Sequence, residues 1–286
     1  MATKIAKAAG ISIALLCIVV FAAGCSTNPV TGEKQFLVIS REQEIQMGDQ
    51  AAPEFEQQFG GKVVNQTLQD YVEMVGQRVA KYSHRQMPYG FTLVSSDVPN
   101  AFALPGGKVF ITAGLMRRMT NERQLAAVLG HETGHVAAKH NVSGMQRQMG
   151  AQLFAEVLGA VIGGGTGEAA KAGAKIAGSI ANLKHSRDDE YQADHVGLGY
   201  MAEAGYNPWG MVELLTVLYK LNESEPGSLG EMFQTHPLTR KRIERVQDAI
   251  QSNDEYRRFS ADAKDPNRAR FERMRNLLVE TVATPA

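Results

Sequence analysis

The clearest hydrophobic pattern in the chain is an apolar stripe with helical spacing that begins near Asn65. The apolar residues of this stripe stand three and four positions apart, and they are Leu68, Tyr71, Val72, Val75 and Val79. This spacing predicts an amphipathic helix with one face on a core. A polar capping residue with glutamine three positions later marks two further helix starts, Ser40 with Gln43 and Asn121 with Gln124.

Short runs of β-branched and aromatic residues predict one small sheet. Phe91–Ser95 and Lys108–Thr112 form these runs, and prolines and glycines separate them. The remaining pattern is helical. Residues 141–180 predict two helices around a run of glycines, a further helix ends at Gly205, and another has Pro237 at an early helical position. The sequence therefore predicts an α+β fold that is mainly α.

The N-terminus carries an uncharged apolar stretch, Ala8 to Ala23, behind two lysines. This length is typical of a secretory signal and short for a spanning helix, although an uncleaved single-span anchor is the alternative. The stretch ends in AAGC, which resembles the lipobox of bacterial lipoproteins, so we expect residues 1–24 to be removed and Cys25 to be lipidated. Ser26 favours the periplasmic face of the outer membrane, with an inner-membrane anchor and a periplasmic body as the alternative.

The composition is that of an ordinary globular protein, with 286 residues of which 44% are hydrophobic and 21% charged. Thirty basic and thirty acidic side chains cancel, and no basic run stands out, which argues against a nucleic-acid partner. No cysteine follows Cys25, so disulfides do not hold the fold. We divide the chain into the signal, a tether of residues 25–39, a domain of residues 40–260 and a C-terminal helical tail of residues 261–286.

The strongest chemical signal is the sequence HETGH in an apolar stretch. Four helical residues advance by about 400°, so His131 and His135 project only about 40° apart and can point at one ion. Glu132 projects about 100° further round, where it suits a general base better than a ligand. This is the HExxH pattern of zinc hydrolases. His140 projects to the opposite side of such a helix, and we expect it on the solvent face.

Catalytic zinc needs a third protein ligand, and without a free cysteine the chain must supply it from His, Asp or Glu. The sequence SRDDEYQADH offers Glu190 and Asp194, four residues apart on one helix face. One of them can bind the ion while the other accepts the distal N–H of a ligand histidine; a solvated helix face is the alternative. Asp188 and Asp189 are interpreted as favourable charges at a helix start. We expect one Zn²⁺ per chain.

Four motifs in order, NAFALPGG, HETGH, SRDDEYQAD and THPLTRKRI, resemble the zinc metallopeptidase family of the type 1 CAAX prenyl proteases and HtpX. The lipobox and the lack of further spans are similar to its periplasmic lipoprotein branch. The resemblance implies a zincin-like metallopeptidase domain with a small β-sheet beside the HExxH helix. It also implies that His131, His135 and Glu190 bind zinc, that Glu132 is the base, and that Asp194 supports a ligand.

The resemblance adds residues that spacing alone does not assign. His236 would lie near the zinc, where it steadies the tetrahedral intermediate or occupies the fourth position in a resting state. Arg242 would lie near the same site and help His236 stabilise the oxyanion. The sequence LPGGKVFIT would form an edge strand beside the cleft, to which an extended substrate adds its backbone, with a simple hairpin as the alternative. The implied substrate contacts are Asn100, Gly106, Gly107 and Val109.

These residues favour a zinc-dependent endopeptidase of the bacterial cell envelope that hydrolyses peptide bonds in misfolded or envelope proteins. The alternative is an envelope lipoprotein chaperone or assembly factor whose zinc is structural or whose activity is latent. A prenyl-protein protease is not expected, because those enzymes use several spanning helices. The expected partners are protein or peptide substrates, the membrane through the lipid anchor, and other envelope proteins.

Overall fold

The protein is described by a computed structural model that covers residues 25–224 and 230–283. The predicted signal, residues 1–24, lies outside the described residues. The strands are β1 (Cys25–Thr27), β2 (Lys34–Phe36), β3 (Gly90–Val94), β4 (Ala101–Leu104) and β5 (Lys108–Thr112). The first helices are α1 (Arg41–Gln58), α2 (Gln66–Ala80), α3 (Ala113–Arg118), α4 (Glu122–Ala137), α5 (His140–Met149) and α6 (Ala151–Gly163). The later helices are α7 (Thr166–Ala181), α8 (Arg187–Glu203), α9 (Trp209–Ser224), α10 (Gly230–Thr235), α11 (Arg240–Ser252) and α12 (Arg268–Ala283).

The main sheet has three strands in the order β3, β5, β4, with β5 parallel to β3 and antiparallel to β4. The expectation that β5 is an edge strand is wrong, because Val109 pairs with Phe91 on one side and with Ala103 on the other. Strand β4 lies at the edge of this three-stranded sheet, and all of its residues are buried. A fully buried strand has no alternation of polar and apolar residues, which is why the sequence did not reveal it.

Helix α4, which carries HETGH, is buried along its whole length, and two side chains cap its start. Asn121 accepts a hydrogen bond from the backbone N–H of Gln124, as the capping pair predicts. Asp265 accepts two more, from the backbone N–H groups of Glu122 at 2.8 Å and Arg123 at 3.2 Å. A residue far along the chain thus satisfies donors that a helix start leaves without partners.

The segment predicted as a C-terminal helical tail forms helix α12, which packs into the core. Phe271 is fully buried, and the helix contacts α2, α3 and α4. Arg270 donates to the buried carboxylate of Glu122 from Nε at 2.7 Å and Nη2 at 2.6 Å. The hydroxyls of Tyr71 and Tyr206 donate to the same carboxylate at 2.9 and 3.0 Å. The C-terminal segment therefore holds the start of the helix that carries the candidate site.

Helices α4 and α8 approach closely because glycines line their crossing. A Cβ atom built on Gly134 would lie 2.9 Å from the carbonyl oxygen of Ala193, and one on Gly197 would lie 3.1 Å from the backbone nitrogen of His131. Larger side chains would hold helix axes farther apart. The close crossing presses the HETGH face against the SRDDEYQAD segment.

The predicted tether is folded against the body. Strands β1 and β2 form an antiparallel hairpin. The backbone N–H of Val38 donates to the Gln146 side chain at 3.1 Å, and Lys139 Nζ donates to Ser26 Oγ. Leu37 is buried. This segment is a docked hairpin, whose short strands and turn formers gave no hydrophobic pattern to predict it.

Two further helix predictions have different outcomes. The glycine run separates α6 from α7 as predicted, and both helices pack on a second hydrophobic cluster around Phe55 and Phe154. The helix expected to include Pro237 begins later, at Arg240, because Thr239 caps it by accepting from the N–H of Arg242. Among residues 25–224 and 230–283, no helix combines the length and the apolar character needed to cross a membrane.

Candidate metal centre

The two histidines of HETGH converge on one point. The Nε2 atoms of His131 and His135 are 3.0 Å apart, their rings meet at 82°, and both side chains are buried. Glu132 directly follows His131 on the helix and is buried. This is the arrangement that the helical spacing predicts, with two ring nitrogens free to share one ligand and an acid beside them.

Glu190 reaches the same point from α8. Its Oε1 is 3.2 Å from His135 Nε2, and its Oε2 is 3.5 Å from His131 Nε2. Helix α8 starts at a capping box in which Ser186 and Asp189 exchange side-chain to backbone hydrogen bonds. The box places Glu190 in the first turn, facing α4. Asp189 therefore has the helix-start role that the sequence analysis gave it.

Asp194 and Arg242 form the layer behind these ligands. Asp194 Oδ1 lies 2.9 Å from His131 Nδ1, at an angle outside a regular hydrogen bond. Arg242 donates to both oxygens of Asp194 at 2.8 Å, its Nη1 is 2.5 Å from Glu190 Oε2, and it also donates to the Pro237 carbonyl at 3.3 Å. All three guanidinium nitrogens of Arg242 have these partners, and a further role of Arg242 near the oxyanion stays a prediction. The arginine compensates two buried acids.

His236 closes the group from the opposite side. Its Nδ1 is 3.0 Å from Glu190 Oε1, and its Nε2 is 3.8 Å from Glu132 Oε1. The residue follows α10, and its backbone N–H donates to the Met232 carbonyl at 2.7 Å. The THPLT motif thus brings an imidazole to the ligand pair between two helices, where the resemblance expects it.

Burial and neighbouring charges shift the pKa values of Glu132 and Glu190 in opposite directions. Burial raises the pKa of Glu132, although His236 and His131 oppose the shift. Burial also disfavours ionised Glu190, but the charges of Arg242 and His236 outweigh it and hold the pKa of Glu190 well below its usual value. Glu190 is therefore a permanent anion suited to a cation, while Glu132 is tuned towards proton uptake.

The pKa values of His131 and His135 also shift in opposite directions. Burial lowers the pKa of His135 far below its usual value, and the nearby His185 adds to this shift. Burial opposes protonation of His131 as well, but Glu190 and Asp194 raise the pKa of His131 to about 10. A ligand histidine must be neutral, so a cation that binds here displaces the His131 proton.

The donor set fits zinc. His131, His135, Glu190 and His236 each offer one ligand atom, and these four atoms lie within 4.8 Å of one another. Glu190 Oε2 is held by Arg242 Nη1 at 2.5 Å. Its Oε1 faces His135 Nε2 at 3.2 Å and His236 Nδ1 at 3.0 Å, so the carboxylate presents Oε1 to the point where the imidazoles meet. Neutral imidazoles and a carboxylate are the ligands that catalytic zinc takes.

A small apolar pocket of about 30 Å³ borders the group on the side of Glu132 and His236. Met211, Leu214 and Leu215 of α9 form its apolar wall. Its lining suits an apolar group next to the acid and the histidine.

The residues expected to bind the substrate lie elsewhere. Gly106 and Gly107 adopt positive φ, and a Cβ on Gly106 would lie 2.8 Å from the Cα of Ile45, so their close approach is to α1. Asn100 and Val109 are buried in the sheet. None of the four lines the pocket beside Glu132. The edge-strand basis for these contacts is absent because β5 is the central strand, and the contacts themselves stay a prediction.

Sequence reasoning missed two histidines. His140 was expected on the solvent face but is buried, with its Nδ1 at 3.0 Å from His135 Nδ1. The helical projection fails because α4 ends at Ala137 and Lys139 is left-handed, at φ 61° and ψ 26°. The ring centroid of His185 lies 4.0 Å from that of His135. The signal for His185 was its position directly before the helix that carries Glu190.

A buried HExxH helix, a glutamate from a crossing helix and a small sheet beside them define an α+β fold of the zincin-like class. The comparison with known families agrees: residues 64–250 match the model of peptidase family M48. The chain belongs to peptidase family M48.

Similar proteins come from bacteria and from eukaryotes. The beta-barrel assembly-enhancing protease of Escherichia coli K12 is 30% identical over 234 residues, which cover 78% of this chain and 47% of that protein. The mitochondrial metalloendopeptidase OMA1 of Schizosaccharomyces pombe is 27% identical over 238 residues, 77% of this chain and 65% of that protein. The metalloprotease YcaL of Escherichia coli K12 is 30% identical over 159 residues, 56% of this chain and 61% of that protein. The match thus spans about half the length of the assembly-enhancing protease.

Proposed function

We propose that the protein is a zinc-dependent endopeptidase with His131, His135 and Glu190 as the ligands and Glu132 as the general base. The observation that carries the proposal is the convergence of four buried ligand atoms within 4.8 Å beside a glutamate whose pKa burial raises. Membership of peptidase family M48 supports it. Zinc, when bound, would supply Lewis acidity towards a carbonyl oxygen and an attacking water.

The chain's own groups then carry the protons and the charge. Glu132 removes a proton from the attacking water and returns it to the departing amine, which its raised pKa favours. His236 faces Glu132 at 3.8 Å and can donate to a developing oxyanion. Arg242 and Asp194 hold Glu190 and His131 in place.

Glu132→Gln tests the base. The amide keeps the shape of the side chain but cannot take a proton, so hydrolysis of unfolded casein should fall by about 10² to 10⁴ while zinc content stays at one ion per chain. Glu203→Gln, an exposed change at the end of α8, is the matched control and should retain full activity. Wild-type turnover by the Glu132→Gln variant would remove Glu132 from the reaction.

The apolar lining of the pocket beside Glu132 supports a preference for substrates with an apolar side chain next to the scissile bond. Met211, Leu214 and Leu215 offer no charge to a polar side chain there. A peptide series that varies one residue flanking the cleaved bond measures this preference. Leucine, methionine or phenylalanine should be cleaved best at one flanking position, and a flat profile contradicts the assignment of the pocket.

We also propose that Cys25 carries a lipid and that the body acts at the periplasmic face of the outer membrane on misfolded or envelope proteins. The AAGC motif supports the lipid, and the similarity to a protein named for beta-barrel assembly supports the substrates. Labelled palmitate should enter the wild-type chain and the Cys17→Ser control but not Cys25→Ser. Recovery of the labelled protein with inner membranes would favour the other anchor site.

A second candidate function is a chaperone or assembly factor with a latent site. It is favoured by His236, which stands 3.0 Å from Glu190 and completes a closed set of four ligands. A structural zinc site is closed in this way. Suppression of unfolded outer-membrane protein aggregation by both wild type and Glu132→Gln would support this function, and the absence of such suppression would count against it.

A further inference from the structure

A chain of hydrogen bonds runs from the N-terminal hairpin to His135. Asn28 Nδ2 donates to Gln192 Oε1 at 3.3 Å, and the same oxygen is 2.8 Å from His140 Nε2. His140 Nδ1 is 3.0 Å from His135 Nδ1. Both histidines are buried, so the protons in this chain are fixed by the partners and not by solvent.

The proton positions follow from the hairpin end. Asn28 Oδ1 accepts from the backbone N–H of Val30 at 2.9 Å, so its amide nitrogen is the atom that faces Gln192. Gln192 must then present its oxygen, which leaves His140 Nε2 as a donor. Asp189 Oδ1, at 3.4 Å from the same nitrogen, is a second acceptor for this N–H.

The tautomer of His135 follows in turn. A neutral imidazole that carries its proton on Nε2 has an acceptor at Nδ1, so His140 accepts and His135 Nδ1–H donates. His135 then keeps the lone pair on Nε2, which is the atom that faces His131 and Glu190. Metal-binding histidines need their second nitrogen held by such an acceptor.

We propose that His140 is a positioning residue for the metal centre, and that Gln192 and Asn28 set its tautomer and so couple the hairpin that follows Cys25 to the ligand His135. The proposal rests on the proposed zinc site. Asp194 stands behind His131. His140 does the equivalent for His135, so each ligand histidine has its own support.

The test is the zinc affinity of the full chain, measured by competition with a chromogenic chelator. His140→Leu removes the acceptor and should weaken zinc binding about 10- to 100-fold. His140→Asn offers its Oδ1 near the position of the lost Nδ1 and should recover most of that affinity. His195→Leu, an exposed change on α8, is the matched control and should bind zinc as the wild type does.

Asn28→Asp tests the coupling to the hairpin. The aspartate presents an oxygen to Gln192, turns the amide and reverses the tautomer of His140, so affinity should fall about tenfold, the lower end of the same range. The absorption bands of the Co²⁺-loaded protein should shift in His140→Leu and Asn28→Asp but not in His195→Leu. A purely structural role would change the unfolding midpoint and leave these bands in place.

The outcomes separate the two proposals. If wild-type protein binds no zinc, the proposed function fails. If wild type binds zinc and His140→Leu binds it equally well, with unchanged Co²⁺ bands, the positioning role of His140 is overturned while the peptidase proposal stands. If His140→Leu does not fold, His140→Asn provides the test. Zinc binding by His140→Asn as weak as that of Asn28→Asp would then overturn the role, because restoring an acceptor would have had no effect.

Discussion

The contact between Arg270 and Glu122 makes a quantitative prediction for the stability of the site-bearing helix. Glu122 is the first residue of α4, its side chain is 0% exposed, and Arg270 of α12 supplies two of its four hydrogen bonds. The change to consider is Arg270→Met, which keeps most of the side-chain volume and removes the charge.

The expected loss of stability depends on the hydrogen bonds that the Glu122 carboxylate retains without Arg270. Breaking a buried ion pair by removing one partner costs about 3–5 kcal/mol. The Arg270 side chain is 36% exposed, and Tyr71 and Tyr206 still donate to the carboxylate, so both terms reduce that cost. We expect Arg270→Met to lower the free energy of unfolding by about 2–3 kcal/mol.

Urea unfolding of the metal-free protein measures this difference without a contribution from bound zinc. Arg273→Met on the same helix is exposed and should change stability by less than about 0.5 kcal/mol. In a Glu122→Gln background, Arg270→Met should cost much less, because no buried charge loses its partner. Equal effects of Arg270→Met and Arg273→Met would refute the reasoning that α12 holds the start of α4.

Two further predictions concern the centre itself. Gly134→Ala places a methyl 2.9 Å from the Ala193 carbonyl, so α8 must shift; we expect a loss of about 1–3 kcal/mol in urea unfolding and weaker zinc binding, whereas Gly199→Ala, whose nearest neighbour is the Tyr256 hydroxyl at 3.7 Å, should retain zinc affinity. Removing metal with a chelator should lower the melting temperature, and free zinc at 100 times its dissociation constant should restore about 2.7 kcal/mol in calorimetry, an effect that would be absent if the four ligand atoms held no ion.

Local sequence signals predicted the parts of the molecule that are governed by local spacing. The stripe from Leu68 to Val79 lies on a buried helix face, the Asn121 cap forms, and the HETGH spacing brings two ring nitrogens together. Each of these depends on residues a few positions apart, which helical geometry fixes. The family resemblance, now shown by the match to peptidase family M48, added what spacing could not.

The remaining features depend on contacts between distant segments. The predicted position of His140 was wrong because a single left-handed residue, Lys139, interrupts the helix. Lysine is not a residue that favours this conformation, so the sequence did not predict the break. The partners of Arg242 come from a helix some fifty residues away, so its role as a counter-ion was visible only in the fold. The strand order failed for the same reason, since pairing of β5 on both sides is a property of the sheet.

The separation of the ligands along the chain sets the order in which the protein becomes competent. His131 and His135 arise on one helix, but Glu190 comes only after the whole α6 and α7 hairpin, and it reaches them by docking of α8 across the glycine contact. A molecule in which α8 has not docked offers the two imidazoles without the Glu190 carboxylate, and we expect it to bind a cation weakly. If the proposed zinc site is right, the ion would bind with full affinity only after α8 has docked, and hydrolysis would begin only in the fully folded protein.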